Sequence, residues 1–305
     1  MPITPTPKIW MNGEMVDWDQ ANIHILTHTL HYGMGVFEGI RAYETSEGPG
    51  VFRLTEHIER LHNSARIMGM PMPYEVDDLI EATKDVVRAS GLPSCYIRPI
   101  AYFGYGEMGL NTLPCKVDVA IACWPWGAYL GDDAVRKGVS MKVSSWCRHD
   151  HNSMPPASKT TGNYVNSSLA KVEALNAGYD EAIMLNPEGL VSECTGENIF
   201  AARGGTLITP PLSAGALEGI TQDTVMTIAD DLGLDCMVSD LTRSDLYICE
   251  EMFVCGTAAE VSAVNSVDDR PTPCPGEMTR AIAEEYARAV RGEVDRYKDW
   301  VELVA

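Results

Sequence analysis

One lysine stands in a loop whose composition could turn its amine into a nucleophile. Lys159 follows residues 154–158 (MPPAS) and precedes residues 160–162 (TTG). The prolines restrict the backbone before the lysine, and the glycine permits a tight turn after it. Partial burial in this mostly uncharged loop would disfavour the charged amine, which favours nucleophilic attack and Schiff-base formation. A solvated surface lysine is the alternative, and the loop alone does not decide between them.

A predicted strand offers a second reactive pair, a phenol and a guanidinium. The two-residue repeat of an extended chain places Tyr96 and Arg98 on one face. The guanidinium could bind a carboxylate through two parallel hydrogen bonds, and an exposed arginine beside a half-buried tyrosine is the alternative. Pro99 predicts an edge strand or a strand end, because proline cannot donate to the ladder.

Two glycine-containing turns could hold anions. Residues 218–221 (EGIT) precede a predicted helix with Thr221 as its N-cap, and the free N–H groups of a helix start suit a phosphate. An ordinary capped helix is the alternative. Residues 256–258 (GTA) follow a predicted buried strand, and their small side chains leave amides able to hold a carboxylate.

An acidic residue inside a strand pattern, Glu193, requires a partner, because an unpaired buried charge is costly. Pairing with an arginine would be structural. A protonated ring nitrogen of a ligand would make the residue functional.

Five histidines could suggest a metal site. On a helix, His24, His28 and His31 would cluster, and His149 and His151 could join them. The glycine-rich surroundings of His31 predict strand and turn instead, which would scatter the rings. No metal is therefore expected.

Composition excludes several classes of protein. The 305 residues include 43 acidic and 23 basic side chains, a net charge of −20, which opposes binding to nucleic acid or to an anionic membrane. No apolar run is long enough for a membrane span, and the first residues do not resemble a secretory signal. Nine scattered cysteines indicate a reducing cytoplasm.

Local patterns predict an α+β fold, because helices and strands mix without regular βα alternation. The turn Asn12-Gly13 predicts a hairpin. The spacing of Ile58, Leu61, Ala65 and Met68 predicts the apolar face of a helix that Thr55 caps. A break near residues 124–127 (WPWG) predicts a domain boundary. The expected division is a smaller N-terminal domain over 1–125, a connecting loop over 126–137 and a larger C-terminal domain over 138–305.

Together these pieces resemble the pyridoxal-phosphate-dependent branched-chain amino acid aminotransferases of the class IV aminotransferase superfamily. The matching runs lie in family order between Ile9 and Val267: VFEGIRAY, HIERLHNSAR, YIRP, WPWGAYLG, SKTTGNYVNS, SECTGENIF, EGIT and CGTAAEV. The resemblance implies a two-domain class IV fold with a small α/β domain and a larger pseudo-barrel domain. The chain departs from the usual family sequence at two places: Ser158 stands where alanine is usual, and residues 149–151 (HDH) have an unusual sequence.

The resemblance also implies a cofactor site for pyridoxal 5′-phosphate. Lys159 would form the Schiff base, Glu193 would hold the protonated pyridine nitrogen, and Tyr164 would bind the phenolic oxygen. The phosphate would be bound by Arg60, by the amides of Ile220 and Thr221, and by Thr257. Also implied in the site are Gly196, Glu197, Asn198, Leu217, Gly219 and Gly256.

A substrate site is implied beside the cofactor. The amides of Thr257 and Ala258, with Tyr96, would hold the α-carboxylate, and Arg98 with Tyr32 would bind the distal carboxylate of glutamate. Residues implied to line the apolar pocket are Phe37, Gly39, Tyr129 and Tyr164. Leu110 would come from a partner subunit, so a homodimer or higher oligomer is implied.

The implied reaction is a reversible ping-pong transfer of the amino group from leucine, isoleucine or valine to 2-oxoglutarate. Alternatives on the same scaffold are a D-amino acid or (R)-amine aminotransferase and an aminodeoxychorismate lyase. A non-catalytic acidic binding protein is a further alternative.

Overall fold

The computed structural model describes residues 3–127 and 137–304. The chain divides into two compact units, each built from separate segments. Unit 1 comprises Met1–Trp126, Ser158–Gly162 and Ala289–Ala305, and unit 2 comprises Gly127–Ala157 and Asn163–Arg288. The predicted division into 1–125, 126–137 and 138–305 stays a prediction.

Strands outnumber helices in the described residues. The strands are β1 (Lys8–Met11), β2 (Glu14–Asp17), β3 (Gly35–Phe37), β4 (Ile40–Thr45), β5 (Gly48–Phe52), β6 (Cys95–Phe103), β7 (Val117–Trp124), β8 (Val139–Val143), β9 (Glu181–Leu185), β10 (Val191–Cys194), β11 (Asn198–Arg203), β12 (Thr206–Thr209), β13 (Cys236–Val238), β14 (Glu251–Gly256), β15 (Glu260–Val267), β16 (Arg270–Pro271) and β17 (Val301–Leu303). The α-helices are α1 (His28–Tyr32), α2 (Leu54–Ile67), α3 (Val76–Ser90), α4 (Tyr164–Asn176), α5 (Ile220–Asp231), α6 (Arg243–Tyr247) and α7 (Glu277–Ala289). Shorter 3-10 helices cover Trp18–Gln20, Thr161–Asn163, Leu212–Ala214 and Asp295–Trp300.

Unit 1 contains an antiparallel sheet in the order β17-β5-β4-β6-β7-β1-β2, with β3 also paired to β6. The hairpin of β1 and β2 confirms the turn predicted at Asn12 and Gly13, both of which have positive φ. Helices α2 and α3 pack with this sheet in one hydrophobic core.

Helix α2 presents one apolar face to the core of unit 1. Leu54, Ile58, Leu61 and Ala65 recur at three- and four-residue spacing, and all are fully buried. Burying a leucine or isoleucine side chain contributes roughly 1.5–3 kcal/mol. This face therefore fixes α2 against the core and determines where its other side chains point.

The predicted N-cap of α2 is wrong. The helix begins at Leu54, so Thr55 lies in its first turn instead of preceding it. The Thr55 amide and hydroxyl both donate to the carboxylate of Glu302 on β17, at 2.9 and 2.8 Å. A carboxylate distant in sequence satisfies the helix start, which no local pattern could indicate.

The segment predicted as strand and turn around His31 contains helix α1 instead. This one-turn helix ends at Gly33 in the left-handed region, and it is too short for apolar periodicity to indicate it. His28 and His31 bind the carbonyls of Gly109 and Ile25, respectively. Among the described residues, no group of three His, Cys, Asp or Glu side chains could hold a metal.

Pro99 lies in the middle of a central strand, and the predicted edge position is wrong. Strand β6 pairs with β7 on one side and with β3 and β4 on the other. The Pro99 carbonyl accepts from Glu38 N–H between the end of β3 and the start of β4. The proline nitrogen faces the same gap, where the sheet requires no N–H donor.

Unit 2 contains a mixed sheet in the order β10-β9-β8-β15-β14-β11-β12-β13, with β16 beside β15. Strands β8, β9 and β15 pair in parallel, whereas β11, β14 and β15 pair antiparallel. Each unit combines a sheet with helices, which confirms the α+β prediction. Among the helices of the described residues, none has the length and apolar character that crossing a membrane requires.

Candidate active site

In unit 1, helix α2 and strand β3 hold the backbone of Lys159 from both sides. Its N–H donates to Ser64 Oγ at 3.0 Å, and its carbonyl accepts from Phe37 N–H at 3.0 Å. Ser158 is buried, donates to the Ser64 carbonyl at 3.1 Å and bonds the Thr160 hydroxyl at 2.7 Å. Ser158, which stands where the family usually has alanine, thus adds a hydrogen bond to α2 directly beside the lysine.

The side chain of Lys159 shares an aromatic neighbour with Arg98. Lys159 Nζ lies 5.2 Å from the centre of the Phe37 ring, and Arg98 Cζ lies 4.7 Å from the same ring. Arg98 Nη2 donates to the Tyr96 hydroxyl at 3.1 Å, so Tyr96 and Arg98 share one face as predicted. A Cβ on Gly39 would come within 2.1 Å of that hydroxyl, so only glycine permits this approach.

Arg60 lies on α2 one turn before Ser64, and a buried carboxylate grips its guanidinium. Its Nε and Nη2 donate to the two oxygens of Glu38, each at 2.8 Å. His57 Nδ1 also contacts Glu38 at 2.8 Å. The arginine predicted to bind phosphate is therefore held in place by contacts within the protein itself.

For three of the predicted substrate residues, no contact with Lys159, Phe37 or Arg98 is described. Tyr32 ends α1, is 39% exposed and packs its ring 4.6 Å from that of His28. Leu110 lies in the loop between β6 and β7 and is 88% exposed. Tyr129 lies outside the described residues. The roles of all three stay predictions.

In unit 2, Glu193 lies at the centre of a buried polar network. Arg148 Nη2 contacts its Oε1 at 2.5 Å, and both side chains are more than nine-tenths buried. Its Oε2 accepts from Leu217 N–H at 3.0 Å and from Asn198 Nδ2 at 3.5 Å. The arginine partner considered from the sequence is thus Arg148, and a ring nitrogen as an additional partner stays a prediction.

The start of helix α5 adjoins this network. Asn198 Nδ2 donates to the Leu217 carbonyl at 3.1 Å, and a Cβ on Gly219 would lie 1.9 Å from Asn198 Oδ1. The helix begins at Ile220 with Gly219 as N-cap, so the predicted cap at Thr221 is wrong. Thr221 is a buried first-turn residue, and the first amides of the helix suit an anion.

The turn at the end of β14 lies beside the same segment. Asn198 pairs with Cys255, and a Cβ on Gly256 would contact the Gly196 carbonyl at 3.2 Å. Thr257 and Ala258 follow in this turn, and both are partly buried. Unit 2 thus places Glu193 near the start of α5 and the turn after β14, whereas Arg60 and Tyr96, also predicted for the phosphate and the α-carboxylate, belong to unit 1. Tyr164 opens helix α4 in the same unit and is partly buried.

Glu197 is a buried carboxyl beside a second one. Its Oε2 accepts from Gly196 N–H at 3.1 Å. Burial, reinforced by the negative charge of Glu181, raises the pKa of Glu197 to about 8. Glu181 itself is paired with Lys171 and with the Thr195 hydroxyl, each at 2.7 Å.

Replacing Glu197 with glutamine should make the free energy of unfolding less sensitive to rising pH between about 4.5 and about 8. Between its ordinary pKa of 4.5 and about 8, the folded chain keeps a proton on Glu197 that the unfolded chain has lost. Wild-type stability therefore falls with rising pH across this window, by up to ~1.4 kcal/mol per pH unit, and the contribution is lost above it. The Tm of Glu197→Gln, relative to wild type, should rise between about pH 5 and about pH 9. The exposed Glu188→Gln should show no such trend; a pH-independent difference for Glu197→Gln would contradict the buried-proton interpretation.

Four residues at these sites carry no role in the sequence interpretation: Glu38, His57, Ser64 and Arg148. Glu38 could have been singled out as Glu193 was, because it is an acidic residue among apolar strand residues. The other three needed the folded contacts, since serine, histidine and arginine are ordinary on helices and loops.

The chemical groups of these residues fit pyridoxal 5′-phosphate. Within unit 1 lie the Lys159 amine and the anchored Arg60. Within unit 2 the Glu193 carboxylate lies near the start of α5. An amine matches an aldehyde, a carboxylate matches a protonated ring nitrogen, and a guanidinium with helix amides matches a phosphate. The absence of a Cβ at Gly219 is what allows Asn198 to approach the start of this helix.

Comparisons with known proteins agree with this chemistry. The family model described as amino-transferase class IV matches residues 35–267. A branched-chain-amino-acid aminotransferase of Pseudomonas aeruginosa is 45% identical over 298 residues, covering 97% of each chain. The solved structure of the branched-chain aminotransferase from the archaeon Thermoproteus uzoniensis with norvaline has a TM-score of 0.95 and 46% identity, covering 98% of this chain and 100% of that one. The branched-chain amino acid aminotransferase from Thermobaculum terrenum, solved in its pyridoxal-phosphate form, has a TM-score of 0.93 and 34% identity and covers 99% of both chains.

Proposed function

This chain belongs to the class IV aminotransferase family, and we propose that it transfers the amino group of leucine, isoleucine or valine reversibly to 2-oxoglutarate. The cofactor is pyridoxal 5′-phosphate, which both substrates use in turn in a ping-pong sequence. The observation that carries the proposal is the fixed backbone of Lys159 beside Phe37 and Arg98. Near-full-length similarity to branched-chain aminotransferases supports it.

The residues named from the sequence would hold the cofactor in this proposal. Lys159 Nζ binds its aldehyde carbon, Glu193 binds the ring nitrogen, and Tyr164 binds the phenolic oxygen. Arg60, the amides of Ile220 and Thr221, and Thr257 would donate hydrogen bonds to its phosphate. When bound, the cofactor supplies an electron sink for the electron pair that remains when the substrate Cα loses its proton.

Lys159 moves the proton that the reaction requires. As a free amine, Nζ would be the base that takes the proton from the substrate Cα and then the acid that returns it. The face of the Phe37 ring at 5.2 Å stabilises the ammonium that Nζ becomes in between. The tethers at Ser64 and Phe37 limit the backbone freedom that would move Nζ out of reach.

Glu193 keeps a negative charge at the ring nitrogen and thereby favours its protonated form. Arg148 contacts the other carboxylate oxygen and holds Glu193 in orientation. The Leu217 amide on Oε2 adds a second fixed contact. The carboxylate is thus preorganised before the ring arrives.

One site must accept both an aliphatic side chain and a carboxylate. An apolar pocket distinguishes side chains that differ by one methylene by only about 1–3 kcal/mol. The side-chain carboxylate of glutamate therefore needs a charged partner of its own in the site. We assign that partner to Arg98, whose plane Phe37 and Tyr96 already fix. The amides of Thr257 and Ala258, helped by Tyr96, bind the α-carboxylate that all the substrates share.

Replacing Arg98 with methionine should separate the two half-reactions. Loss of a charge-assisted hydrogen bond costs about 1.5–3 kcal/mol, so kcat/KM for glutamate should fall by about 10- to 100-fold. The leucine half-reaction should change by less than about threefold, because the leucine side chain presents no charge to the guanidinium. Single-turnover kinetics with each amino acid measure the two values separately. Arg66→Met, an exposed change on α2, is the matched control; equal losses with both substrates would contradict the role of Arg98.

A second copy of the chain completes the enzyme in this proposal. Leu110 and Leu113 are 88% and 91% exposed on the loop between β6 and β7. Leucines this exposed on one loop favour coverage by another molecule, and we assign Leu110 to the partner's substrate pocket. We place the enzyme in the cytoplasm, since its nine cysteines are all free.

A steady-state screen of amino donors with 2-oxoglutarate tests the function. Leucine, isoleucine and valine should all be donors. Activity confined to D-alanine or 1-phenylethylamine would overturn the proposed specificity. Pyruvate formed from aminodeoxychorismate without an amino acceptor would indicate a lyase instead.

A further inference from the structure

Glu38 is a fully buried carboxylate at the turn between β3 and β4, beside the residues that hold Lys159. It is 0% exposed. Its Oε1 accepts from Arg60 Nε at 2.8 Å, and its Oε2 accepts from Arg60 Nη2 and His57 at 2.8 Å and from Gly39 N–H at 3.3 Å. Four donors thus converge on one side chain that the mechanism above does not use.

The charge state of this cluster follows from its contacts. Burial alone would raise the pKa of Glu38, but Arg60 and His57 outweigh it and hold the pKa well below its ordinary value. Burial lowers the pKa of His57, so its ring is neutral. Because an ionised carboxylate can only accept, Nδ1 of His57 must carry the ring proton. The cluster is therefore a carboxylate held by a guanidinium and braced by an imidazole.

The contact with Arg60 fixes the plane of its guanidinium. Two parallel N–H···O bonds join one edge of the fork to both oxygens of Glu38. Because the guanidinium is planar and rigid, fixing this edge also fixes the direction in which the other edge of the Arg60 guanidinium points. Arg60 and Ser64 lie one turn apart on α2, and Ser64 holds the backbone of Lys159. One helix face thus sets the spacing between the lysine and the arginine.

We propose that Glu38 is a positioning residue that aims Arg60 at the phosphate of the cofactor, with His57 as its brace. This inference rests on the proposed function, because only a bound phosphorylated cofactor presents that group. Glu38 itself touches neither cofactor nor substrate in this role. Its effect is confined to the phosphate and does not extend to the aldehyde that Lys159 binds.

Comparing pyridoxal 5′-phosphate with pyridoxal, which lacks the phosphate, isolates this effect. Spectral titration of the apoenzyme gives a Kd for each. In Glu38→Gln the Kd of pyridoxal 5′-phosphate should rise about 10- to 100-fold, since a misaligned guanidinium loses its charge-assisted bonds. The Kd of pyridoxal should change by less than about threefold. In a cycle with Arg60→Met, the second change should add little to the first.

Two further variants keep the test decisive. Glu38→Asp keeps the charge with a shorter reach and should give an intermediate loss if Glu38→Gln folds poorly. Glu56→Gln removes the partner of Arg53 on the same helix and should alter neither constant. Equal weakening of both ligands, or no change in either, would overturn the positioning role. If wild-type apoenzyme failed to prefer the phosphorylated form, the assignment of the cofactor site would be wrong instead.

Discussion

Replacing Lys159 with alanine should abolish transamination and remove the visible absorbance of the covalently held cofactor. The kcat should fall by about 10⁴-fold or more, the upper range of what a positioned proton-transfer group contributes. The loss is expected to be this large because one amine both binds the aldehyde and moves the proton. The neighbouring tethers at Ser64 and Phe37 involve only the backbone of Lys159, so they survive the change and the fold should persist.

The measurements for Lys159→Ala are the absorbance spectrum, the single-turnover rate with leucine and the thermal unfolding curve. Small primary amines added to the variant should restore part of the proton transfer, because the truncated side chain leaves room for them. Lys298→Ala is the control, since that lysine is 61% exposed and pairs only with Asp295 in the contacts described. Retention of the absorbance band in Lys159→Ala would show that another amine holds the cofactor.

Replacing Glu193 with glutamine should be nearly as damaging, but for an electrostatic reason. Glutamine preserves the shape and removes the charge that favours a protonated ring nitrogen. Loss of one preorganised electrostatic contact costs about 10²- to 10³-fold in kcat. The change also leaves Arg148 buried without its carboxylate, and breaking a buried ion pair costs about 3–5 kcal/mol of stability. Activity must therefore be measured at temperatures at which the thermal unfolding curve shows that the variant is still folded.

A cofactor analogue with carbon in place of the ring nitrogen separates the two roles of Glu193. With the natural cofactor, Glu193→Gln should lose activity strongly. With the analogue, wild type and variant should be similarly slow, because there is no protonated ring nitrogen for the carboxylate to stabilise. Exposed Glu188→Gln should match wild type with both. An equal loss with both cofactors would reduce Glu193 to a structural partner of Arg148.

Features set by neighbouring residues could be predicted from the sequence. The two-residue repeat placed Tyr96 and Arg98 on one face, and the hydrogen bond between them confirms it. The apolar spacing of Ile58, Leu61 and Ala65 located the buried face of α2. In each case a periodic backbone fixes the geometry locally, so no distant contact is needed.

Features set by distant residues could not be predicted in this way. Ser64 reaches Lys159 across 95 residues, and Glu302 satisfies the start of α2 across 247 residues. Glu193 was recognised as needing a partner, but nothing local pointed to Arg148. The central position of Pro99 likewise depends on the gap between two other strands. The resemblance to a family supplies predicted roles for residues whose function the local patterns leave open.

The segmented construction of unit 1 has a consequence for synthesis on the ribosome. Its first 126 residues emerge early, yet the segment Ser158–Gly162 follows only after part of unit 2 has been made. Strand β17, which pairs with β5, emerges later still. A nascent chain halted before residue 158 would contain α2 but would lack the lysine whose backbone α2 contacts. The unit that begins first is thus completed last, and Lys159 reaches its place only after translation of the helix that holds its backbone.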